Sequence, residues 1–504
     1  MGTDLLIGVD VGTYETKGVA TTVEGEVVAR AAHGHRMATP RPGWAEHDPE
    51  RDWWDGVCSV IAGLLADDAV SAEGVVGLGV SAIGPCVVAA DADGNALRPA
   101  ILYGVDTRAT SQMATIEERL GRDALLSRCG NVLTTQSAGP KILWIRENEP
   151  EVYERTHRFT TSQSFLVHRL TGRWVMDHGT AAYYHPLYDL GAGGWYEPWF
   201  DGIVEADKLP ELGWAHDIAG TVTPQAAAIT GLRAGTPVIV GATDAPAEAV
   251  SAGVTAPGRV MVMYGSTIFM IAVLDKPAPT EVLWSAPYVF PGTYVLAGGT
   301  ATAGTVTHWL RDLVTTVPGQ PPAFSELATE AAASPPGANG LLVLPYFSGE
   351  RTPINDPGAR GIIAGLDLTH TRGHVFRAVL EGIANSVAAN LESFAAHGAR
   401  PDQIRAVGGG TRNEVWTQAT ADASGLTQQV VAGSGASFGD AALAALGIGV
   451  LDGPEAVDRW VGIEREVHPR PEYLDLYATQ RRRAHELYTR TRPLLEPEWT
   501  DGTR

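Results

Sequence analysis

The chain has 504 residues, of which 44% are hydrophobic and 19% are charged, and this balance is typical of a globular protein with two or more domains. Its formal net charge of -21 at pH 7 argues against a general nucleic-acid-binding protein, which would need a basic face. The three cysteines lack metal-ligand spacing, and no signal-peptide pattern or membrane-spanning apolar run is visible. We therefore expect a soluble cytoplasmic protein with no nucleic-acid or membrane partner.

The first predicted element is a β-hairpin. Residues 5–10 form a strand-like apolar stretch, and a loop with Gly12 and Thr13 follows it. Residues 17–23 are rich in β-branched residues, and Gly25 then turns the chain into a third strand-like stretch. A dinucleotide-binding fold or a P-loop would place a helix after the glycine loop. The pattern of strand, Gly-Thr loop and strand instead resembles the start of an actin-like (ribonuclease H-like) phosphotransferase fold.

The first glycine loop has two interpretations. Its backbone amides can bind phosphate, the Asp10 carboxylate can hold magnesium directly or through water, and Lys17 can reach a phosphate as a point charge. Alternatively, the loop is a tight turn in which Asp10 and Thr13 satisfy the backbone around Gly12. The residues of this loop alone leave both interpretations open.

Asp244 is the candidate catalytic base. It follows an apolar stretch, residues 236–241, that predicts a buried strand, and it precedes small residues, 245–252, that predict a helix. A carboxylate at the carboxyl end of a strand faces the crevice in which α/β proteins bind ligands. Phosphoryl transfer to an alcohol needs such a carboxylate to accept the hydroxyl proton. The alternative is a helix N-cap, because Asp is a favoured capping residue.

A second pattern of strand, glycine loop and strand begins about half a chain later. Residues 260–264 and 268–273 predict the strands, and Gly265, Ser266 and Thr267 form the loop between them. Such a repeat indicates two related domains that face each other. Two facing loops could together bind one polyphosphate, which strengthens the phosphate-binding interpretation of both.

We predict an N-terminal domain over residues 1–252 and a C-terminal domain over residues 253–504. The boundary follows the helix that is predicted after Asp244, which Gly253 would end. Tyrosine and alanine side chains at helical spacing between Tyr473 and Tyr488 predict a helix near the C-terminus.

A third glycine cluster precedes a predicted helix over residues 414–424. Glycines such as Gly409 and Gly410 lack a Cβ atom, so a flat adenine ring or a ribose can approach the backbone. Alternatively, the cluster is a flexible turn, and Asn413 is the N-cap of the helix that follows.

Several motifs together resemble the FGGY family of carbohydrate kinases over nearly the whole chain. Residues 361–366 and 374–381 fit the family's C-terminal signature, and residues 344–353 resemble its xylulokinase-like members. Residues 141–148 match the later half of the N-terminal signature, whereas the earlier half departs from the signature, for example at Gln136.

This resemblance implies an α/β fold of two actin-like (ribonuclease H-like) ATPase domains around a central cleft. The first domain would bind the sugar and the second ATP, with Mg²⁺ as the second cofactor. The resemblance assigns the general base to Asp244 and the metal to Asp10 with Asp244. It assigns ATP contacts to Gly12, Thr13, Lys17, Gly265, Ser266, Thr267, Gly409, Gly410 and Asn413.

The substrate motifs depart from the family. Xylulokinase-like members usually carry a Gln-Met-His-Gly stretch where residues 83–86 read Ile-Gly-Pro-Cys, and Ala245 replaces the Asn or Gln that often follows the base. A Trp-Asn-Asp pattern becomes Tyr-Gly-Val-Asp at residues 103–106. Several side chains that would bond sugar hydroxyls are therefore absent. The candidate substrate-binding residues are Gly84, Pro85, Tyr103, Asp106, Gln136 and Asp244.

We expect a small sugar as the substrate, most simply a ketopentose such as D-xylulose, phosphorylated at a terminal hydroxyl. A site without polar partners should prefer a substrate that lacks the matching hydroxyls, which favours a deoxy-ketose. Alternatively, backbone amides, water or Gln136 replace the missing contacts. Another ketose or a polyol, and assembly into a homodimer, stay open.

Two non-kinase functions are alternatives to the kinase. An actin-like ATPase or chaperone would hydrolyse ATP to drive motion, but the two sugar-kinase signatures and the absence of a peptide-binding appendage argue against it. A catalytically silent sugar sensor would need a DNA-binding segment such as a helix-turn-helix, and no spare basic segment is present.

Overall fold

The chain folds into two compact units. The computed structural model describes residues 4–315 and 319–495. Unit 1 consists of the described parts of Met1–Ala256, Val273–Val295 and Gly433–Val461, and unit 2 of the described parts of Pro257–Ala272, Leu296–Ala432 and Gly462–Arg504. The predicted assignment of residues 1–252 to the sugar and 253–504 to ATP stays a prediction.

Strands and helices alternate along the chain, as an α/β fold requires. The first strands are β1 (Leu5–Val11), β2 (Glu15–Thr22), β3 (Val27–Gly34), β4 (Glu46–His47), β5 (Val75–Ala82), β6 (Val88–Ala90), β7 (Ala100–Ile101), β8 (Arg158–Thr160), β9 (Val175–Asp177), β10 (Tyr188–Asp189), β11 (Gly194–Trp195), β12 (Glu211–Gly213), β13 (Ile218–Thr221), β14 (Pro237–Ile239) and β15 (Ala242–Thr243). The later strands are β16 (Arg259–Tyr264), β17 (Ile268–Leu274), β18 (Trp284–Pro287), β19 (Tyr294–Gly299), β20 (Leu342–Leu344), β21 (Ile362–Ala364), β22 (Gln403–Val407), β23 (Thr427–Ala432) and β24 (Gly462–Val467).

The α-helices range from one turn to seven turns. They are α1 (Asp55–Leu65), α2 (Thr110–Leu120), α3 (Arg122–Cys129), α4 (Ala138–Asn148), α5 (Pro150–Arg155), α6 (Ser162–Thr171), α7 (His178–Ala181), α8 (Pro224–Thr230), α9 (Asp244–Ser251), α10 (Gly304–Leu313), α11 (Phe324–Ala333), α12 (Arg372–Ala396), α13 (Glu414–Ser424), α14 (Ala436–Gly447) and α15 (Leu474–Thr491). The predicted helix near the C-terminus is therefore confirmed as α15. None of the helices in the described part of the chain is long and apolar enough to cross a membrane.

The main sheet of unit 1 has the strand order β13-β14-β5-β1-β2-β3, and β15 also pairs with β5. β1 and β2 are antiparallel, as are β2 and β3, so the predicted hairpin and its third strand are confirmed. β1 and β5 are parallel, and β15 is parallel to β5. The carboxyl ends of β1, β5 and β15 consequently meet at the same edge of the sheet.

The strand predicted over residues 236–241 is interrupted. Gly241 has a φ of 74° and separates β14 from β15. A Cβ atom at this position would lie 2.0 Å from the Val80 carbonyl oxygen, so both the backbone conformation and the close approach require glycine. This kink sets the direction of β15, the short strand that leads to Asp244.

Helix α14 packs against β1, β5 and α9 in unit 1. Three glycines make this packing close. A Cβ atom at Gly8 would lie 1.8 Å from the Ser437 carbonyl oxygen, one at Gly79 2.3 Å from the Asp440 carbonyl oxygen, and one at Gly439 1.9 Å from the Ala247 carbonyl oxygen. Larger residues at these positions would push the helix away from the sheet.

The sheet of unit 2 contains the strand order β19-β17-β16-β22-β23-β24. β16 is antiparallel to β17 and parallel to β22, so the arrangement β17-β16-β22 matches β2-β1-β5 of unit 1. The predicted repeat of strand, glycine loop and strand is therefore confirmed. Its two copies lie in the two units, one in each main sheet.

Candidate active site

Three polar residues converge at the carboxyl edge of the unit 1 sheet. Asp10 on β1 lies directly opposite Ser81 on β5, and Ala82 of β5 pairs with Thr243 of β15. Asp244 is the next residue and begins helix α9. The strand register thus brings Asp10, the predicted metal ligand, and Asp244, the predicted base, to one edge, as ligand sites of α/β sheets require.

Asp244 does not cap its helix in the way the alternative interpretation required. Thr243 occupies the N-cap position, and Asp244 is the first helical residue. Its Oδ1 atom accepts a 2.8 Å hydrogen bond from the backbone N–H of Ala245. The N-cap interpretation is therefore wrong. A half-buried carboxylate at the first turn of a helix also benefits from the positive end of the helix dipole.

The pKa values of Asp10 and Asp244 are both raised. Burial is the main cause that raises the pKa of Asp10, and the negative charge of Asp244 adds to it, while the Ser81 hydrogen bond and the charge of Lys17 oppose the shift. Burial also raises the pKa of Asp244 to about 6, against the backbone N–H donors of its helix. Two carboxylates with raised pKa values in one site attract a cation or a proton.

Two acidic residues at this edge were not identified from the sequence. Glu248 lies one turn after Asp244 on α9, and burial followed by the charge of Asp244 raises the pKa of Glu248 to about 6. Asp440 of α14 is fully buried, and its Oδ2 atom lies 2.7 Å from the Ser81 hydroxyl oxygen. The spacing of four residues from Asp244 could have indicated Glu248, and a single acid inside the apolar helix α14 could have indicated Asp440.

The residues fit a magnesium ion. Asp10 and Asp244 provide carboxylate oxygens, which are the ligands that Mg²⁺ prefers, and Mg²⁺ usually keeps several waters and binds substrate phosphates. Within the described residues no group of three or more His, Cys, Asp or Glu side chains forms a complete metal site. Two carboxylates suit an Mg²⁺ ion that also binds the phosphates of a substrate better than an ion that protein side chains coordinate completely.

The first glycine loop is a tight turn that also presents a hydroxyl group. Gly12 donates its N–H to the Glu15 carbonyl at 2.9 Å, and Lys17 forms an exposed ion pair of 3.3 Å with Glu15. The Thr13 hydroxyl lies 3.0 Å from the hydroxyl of Tyr103. Thr13, a predicted phosphate contact, and Tyr103, a predicted sugar contact, thus lie within hydrogen-bond distance of each other in unit 1.

The other predicted sugar contacts lie on loops around this pair. The charge of Asp244 contributes to the raised pKa of Tyr103, although burial is the larger cause. A Cβ atom at Gly84 would lie 2.6 Å from Thr243 Cγ2, which places Gly84 and the buried Pro85 next to the segment that carries the base. The Gln136 side-chain oxygen accepts a 3.2 Å hydrogen bond from the N–H of Gly104.

Asp106 is placed differently from the other predicted sugar contacts. Its side chain has no exposed surface and accepts hydrogen bonds of 2.7 Å from Arg108 Nη2 and 2.7 Å from the N–H of Ala45. In this structure the carboxylate therefore anchors its own loop. Direct contact with sugar would require these bonds to rearrange, and the predicted role of Asp106 stays a prediction.

Lys141, which the sequence identified only as part of a motif, is a buried cation that joins two of the sugar loops. Its Nζ atom donates to the carbonyl oxygens of Leu102 at 2.6 Å and Thr135 at 2.8 Å. Burial lowers the pKa of Lys141 to about 8. The Thr135 hydroxyl donates to the Gly104 carbonyl at 2.8 Å, which ties the same loops together a second time.

The second glycine loop lies in unit 2. The Gly265 N–H donates to the Thr267 carbonyl at 3.1 Å, and the Ser266 carbonyl accepts the N–H of Ala303 at 2.9 Å. A Cβ atom at Gly304 would lie 2.6 Å from the Gly265 carbonyl oxygen, so the start of α10 lies directly behind the loop. Ser266 itself is exposed and available to a ligand.

The third glycine cluster is partly structural. Asn413 accepts a hydrogen bond from the N–H of Trp416 and caps helix α13, which confirms the capping interpretation of this residue. A Cβ atom at Gly410 would lie 2.6 Å from the Trp416 ring, whereas one at Gly409 would have no neighbour within 4 Å. Gly409 is the glycine with open space beside it, and the predicted adenosine contacts stay predictions.

The strand order and the paired glycine loops define the actin-like (ribonuclease H-like) class, and structural comparison confirms this prediction. The crystal structure of xylulose kinase from Rhodospirillum rubrum matches with a TM-score of 0.90 and 32% sequence identity over 97% of this chain and 99% of that one. Residues 5–251 match the N-terminal domain of the FGGY family of carbohydrate kinases, and residues 260–448 match its C-terminal domain. The chain belongs to this family.

The relatives define its enzyme class. Xylulose kinase from Bacillus subtilis is 30% identical over 497 residues, which cover 97% of each chain. Gluconokinase from the same organism is 26% identical and covers 83% of each chain. The protein is a xylulokinase-like carbohydrate kinase, a family that uses ATP and a small-molecule sugar. The interpretations as a motion-driving ATPase or a silent sensor are therefore set aside.

Proposed function

We propose that this kinase transfers the γ-phosphoryl group of ATP to a terminal hydroxyl of a ketopentose, D-xylulose, with Asp244 as the general base. The observation that carries the proposal is the meeting of Asp10 and Asp244 at the carboxyl edge of the unit 1 sheet, in a chain similar to xylulose kinases along nearly its whole length.

Asp244 suits the role of base because its pKa is raised but stays below neutral pH, where the carboxylate is therefore mostly ionised. A base works best when its pKa lies near the working pH, and burial brings that of Asp244 to about 6. It would accept the proton of the sugar hydroxyl as that oxygen attacks the phosphorus atom.

Asp10 would hold Mg²⁺ together with Asp244. The ion, when bound, supplies positive charge that offsets the charge of the phosphate oxygens during transfer. The Ser81 hydroxyl, 3.0 Å from Asp10 Oδ1, orients this carboxylate toward the site. The backbone of the Gly12 loop and the hydroxyl of Thr13 would bind the transferred phosphate, and the exposed Ser266 of the second loop would contact ATP.

The sugar would bind beside Tyr103, Gly84 and Gln136. Lys141 and the Thr135 hydroxyl hold the two loops that carry Tyr103 and Gln136, so their positions are set before the substrate arrives. The hydrogen bond between Tyr103 and Thr13 would then keep the proposed sugar contact next to the proposed phosphate contact.

The substrate is tested by measuring ADP release in a coupled assay with D-xylulose, 1-deoxy-D-xylulose, glycerol and gluconate. We expect D-xylulose to give the highest kcat/KM. A clear preference for 1-deoxy-D-xylulose would show that the absent polar side chains define the substrate. A preference for gluconate or glycerol, or ATP turnover that no sugar increases, would overturn the proposal.

A further inference from the structure

Asp440 is a buried carboxylate that the proposed reaction leaves unused. Helix α14 carries it, and the glycines at positions 8, 79 and 439 allow this helix to approach β1, β5 and α9 closely. Both Asp440 and Ser81 are completely buried. The result is a continuous contact from Asp440 through Ser81 to Asp10.

The hydrogen atoms in this chain of contacts can be counted. The Ser81 hydroxyl oxygen lies 3.0 Å from Asp10 Oδ1 and 2.7 Å from Asp440 Oδ2. A serine hydroxyl has one hydrogen, and an ionised carboxylate has none to donate. Both contacts can be hydrogen bonds only when one of the two carboxyl groups is protonated.

The surroundings decide which carboxyl group that is. Within the part of the chain that the structure describes, no Lys, Arg or His forms an ion pair with Asp440, and its Oδ1 atom has no hydrogen-bond partner. An ionised carboxylate in such a place would be very costly, whereas one unpaired oxygen of a neutral acid costs far less. Burial, with the charge of Asp10, raises the pKa of Asp440 well above its usual value.

Asp10 differs from Asp440 in exposure. Asp10 is only partly buried, whereas Asp440 is completely buried, so a negative charge costs less on Asp10. Burial and the charge of Asp244 raise the pKa of Asp10 as well, but the Ser81 hydrogen bond and the charge of Lys17 oppose that shift, and a bound Mg²⁺ would favour the ionised form of Asp10. The proton therefore belongs on Asp440 and the negative charge on Asp10.

We infer that Asp440 is a neutral acid that donates its hydrogen to Ser81 Oγ, so that Ser81 donates its own hydrogen to the Asp10 carboxylate. Asp440 is then a positioning residue that acts on the reaction through Ser81 and Asp10. The inference rests on the proposed function only for the role of Asp10 as a metal ligand. The hydrogen-bond chain itself does not depend on which sugar is phosphorylated.

The experiment compares Asp440→Asn with Asp422→Asn. Asparagine is neutral, has nearly the shape of the acid and can donate from Nδ2 to Ser81, so we expect Asp440→Asn to unfold within about 2 °C of wild type in metal-free buffer. Asp422 in unit 2 is equally buried but pairs with Arg470 at 2.6 Å, so its amide variant should unfold at a clearly lower temperature.

Activity gives the second measurement. Asp440→Asn should keep kcat and the Mg²⁺ concentration for half-maximal rate within about twofold of wild type. Ser81→Ala removes the donor to Asp10, so it should raise that Mg²⁺ concentration about tenfold while the KM for sugar stays nearly constant. Asp440→Leu, which cannot donate, should shift the Mg²⁺ requirement in the same direction as Ser81→Ala.

Specific outcomes would overturn the inference. Asp440→Asn that does not fold, or that loses as much activity as Asp440→Leu, would show that a negative charge is needed at this position. Ser81→Ala with an unchanged Mg²⁺ requirement would show that the contact does not position Asp10. Failure of the proposed function is distinguishable, because it would appear as full activity of Asp244→Asn while the unfolding temperatures of the Asp440 and Asp422 variants still differ as expected.

Discussion

The two glycine loops have the same backbone plan but different chemistry. In unit 1 the loop follows β1, and Asp10 lies two residues before Gly12; in unit 2 the loop follows β16, and Met263 lies two residues before Gly265. The first loop is thus preceded by a carboxylate, that of Asp10, whereas the second loop provides backbone groups and the Ser266 hydroxyl. A duplicated hairpin can keep the geometry of a loop while only one copy keeps the charge.

The two loops are also supported differently. Side chains hold the first loop, since His35 contacts the Gly12 carbonyl at 2.9 Å and Tyr103 contacts the Thr13 hydroxyl. Mainly backbone groups hold the second loop, since the N–H groups of Ala303 and Gly304 at the start of α10 donate to the Ser266 and Gly265 carbonyls. The Thr305 hydroxyl adds one side-chain hydrogen bond to the Ser266 carbonyl. Substitutions should therefore affect the first loop far more than the second.

The largest effect is expected at Asp244, the proposed base. Asp244→Asn should fold normally and bind ATP but lose about 10²–10⁴-fold in kcat, because an amide cannot accept the proton of the sugar hydroxyl. Single-turnover ADP formation with D-xylulose measures this loss. Near-normal turnover would remove Asp244 as the base.

Glu248→Gln is the matched control for Asp244→Asn, because Glu248 lies on the same helix and is also half-buried. Its loss in kcat should be far smaller than that of Asp244→Asn. The pH profile adds a second criterion. In wild type kcat/KM should fall as the pH drops below about 6, where a base with the raised pKa of Asp244 becomes protonated and inactive.

The comparison between the loops predicts a second, smaller difference. Asp10→Asn should lower kcat by about 10²-fold and raise the Mg²⁺ concentration for half-maximal rate, because a neutral amide holds the ion poorly. Met263→Leu, a substitution at the equivalent position of unit 2, should leave both quantities nearly unchanged. Equal effects of the two substitutions on the Mg²⁺ titration would contradict the assignment of the charge to the first loop.

The support of the sugar loops gives the third prediction. Lys141→Met leaves the carbonyl oxygens of Leu102 and Thr135 without their donor, at a cost of about 1–3 kcal/mol. We expect the KM for D-xylulose to rise about tenfold, with a smaller change in the KM for ATP.

Lys208 offers a matched control for Lys141. Its Nζ atom also donates to two backbone carbonyls, those of Tyr153 and Thr156, but it holds none of the predicted sugar contacts. Lys208→Met should lower the unfolding temperature and leave the KM for D-xylulose unchanged. If both variants change this KM equally, Lys141 has only a general structural role.

The smallest effect is expected in the second loop. Ser266→Ala removes one exposed hydroxyl from a loop that backbone contacts hold, so the KM for ATP should rise only about threefold. Initial rates over a range of ATP concentrations measure the change. A loss as large as that of Asp10→Asn would mean that the two loops contribute equally.

Much of the fold and part of the site follow from local sequence. Alternating β-branched residues and glycine turns predict both hairpins, and Asn413 before a helical stretch predicts a cap, because these features depend on neighbouring residues. The position of Asp244 after a strand similarly predicts its place at the sheet edge. The break at Gly241 was not predicted, since it depends on the closeness of the Val80 carbonyl.

Tertiary structure alone decided what surrounds these residues. Ser81 and Asp440 are 359 positions apart, and they meet because glycines on two strands and a helix allow α14 to lie against the sheet. The hydrogen bond from the Ala45 N–H to Asp106, and the contact of Thr13 with Tyr103, likewise depend on distant segments. Local propensity determines which residues end a strand or start a helix. The packing of distant elements determines which of their side chains form hydrogen bonds with each other.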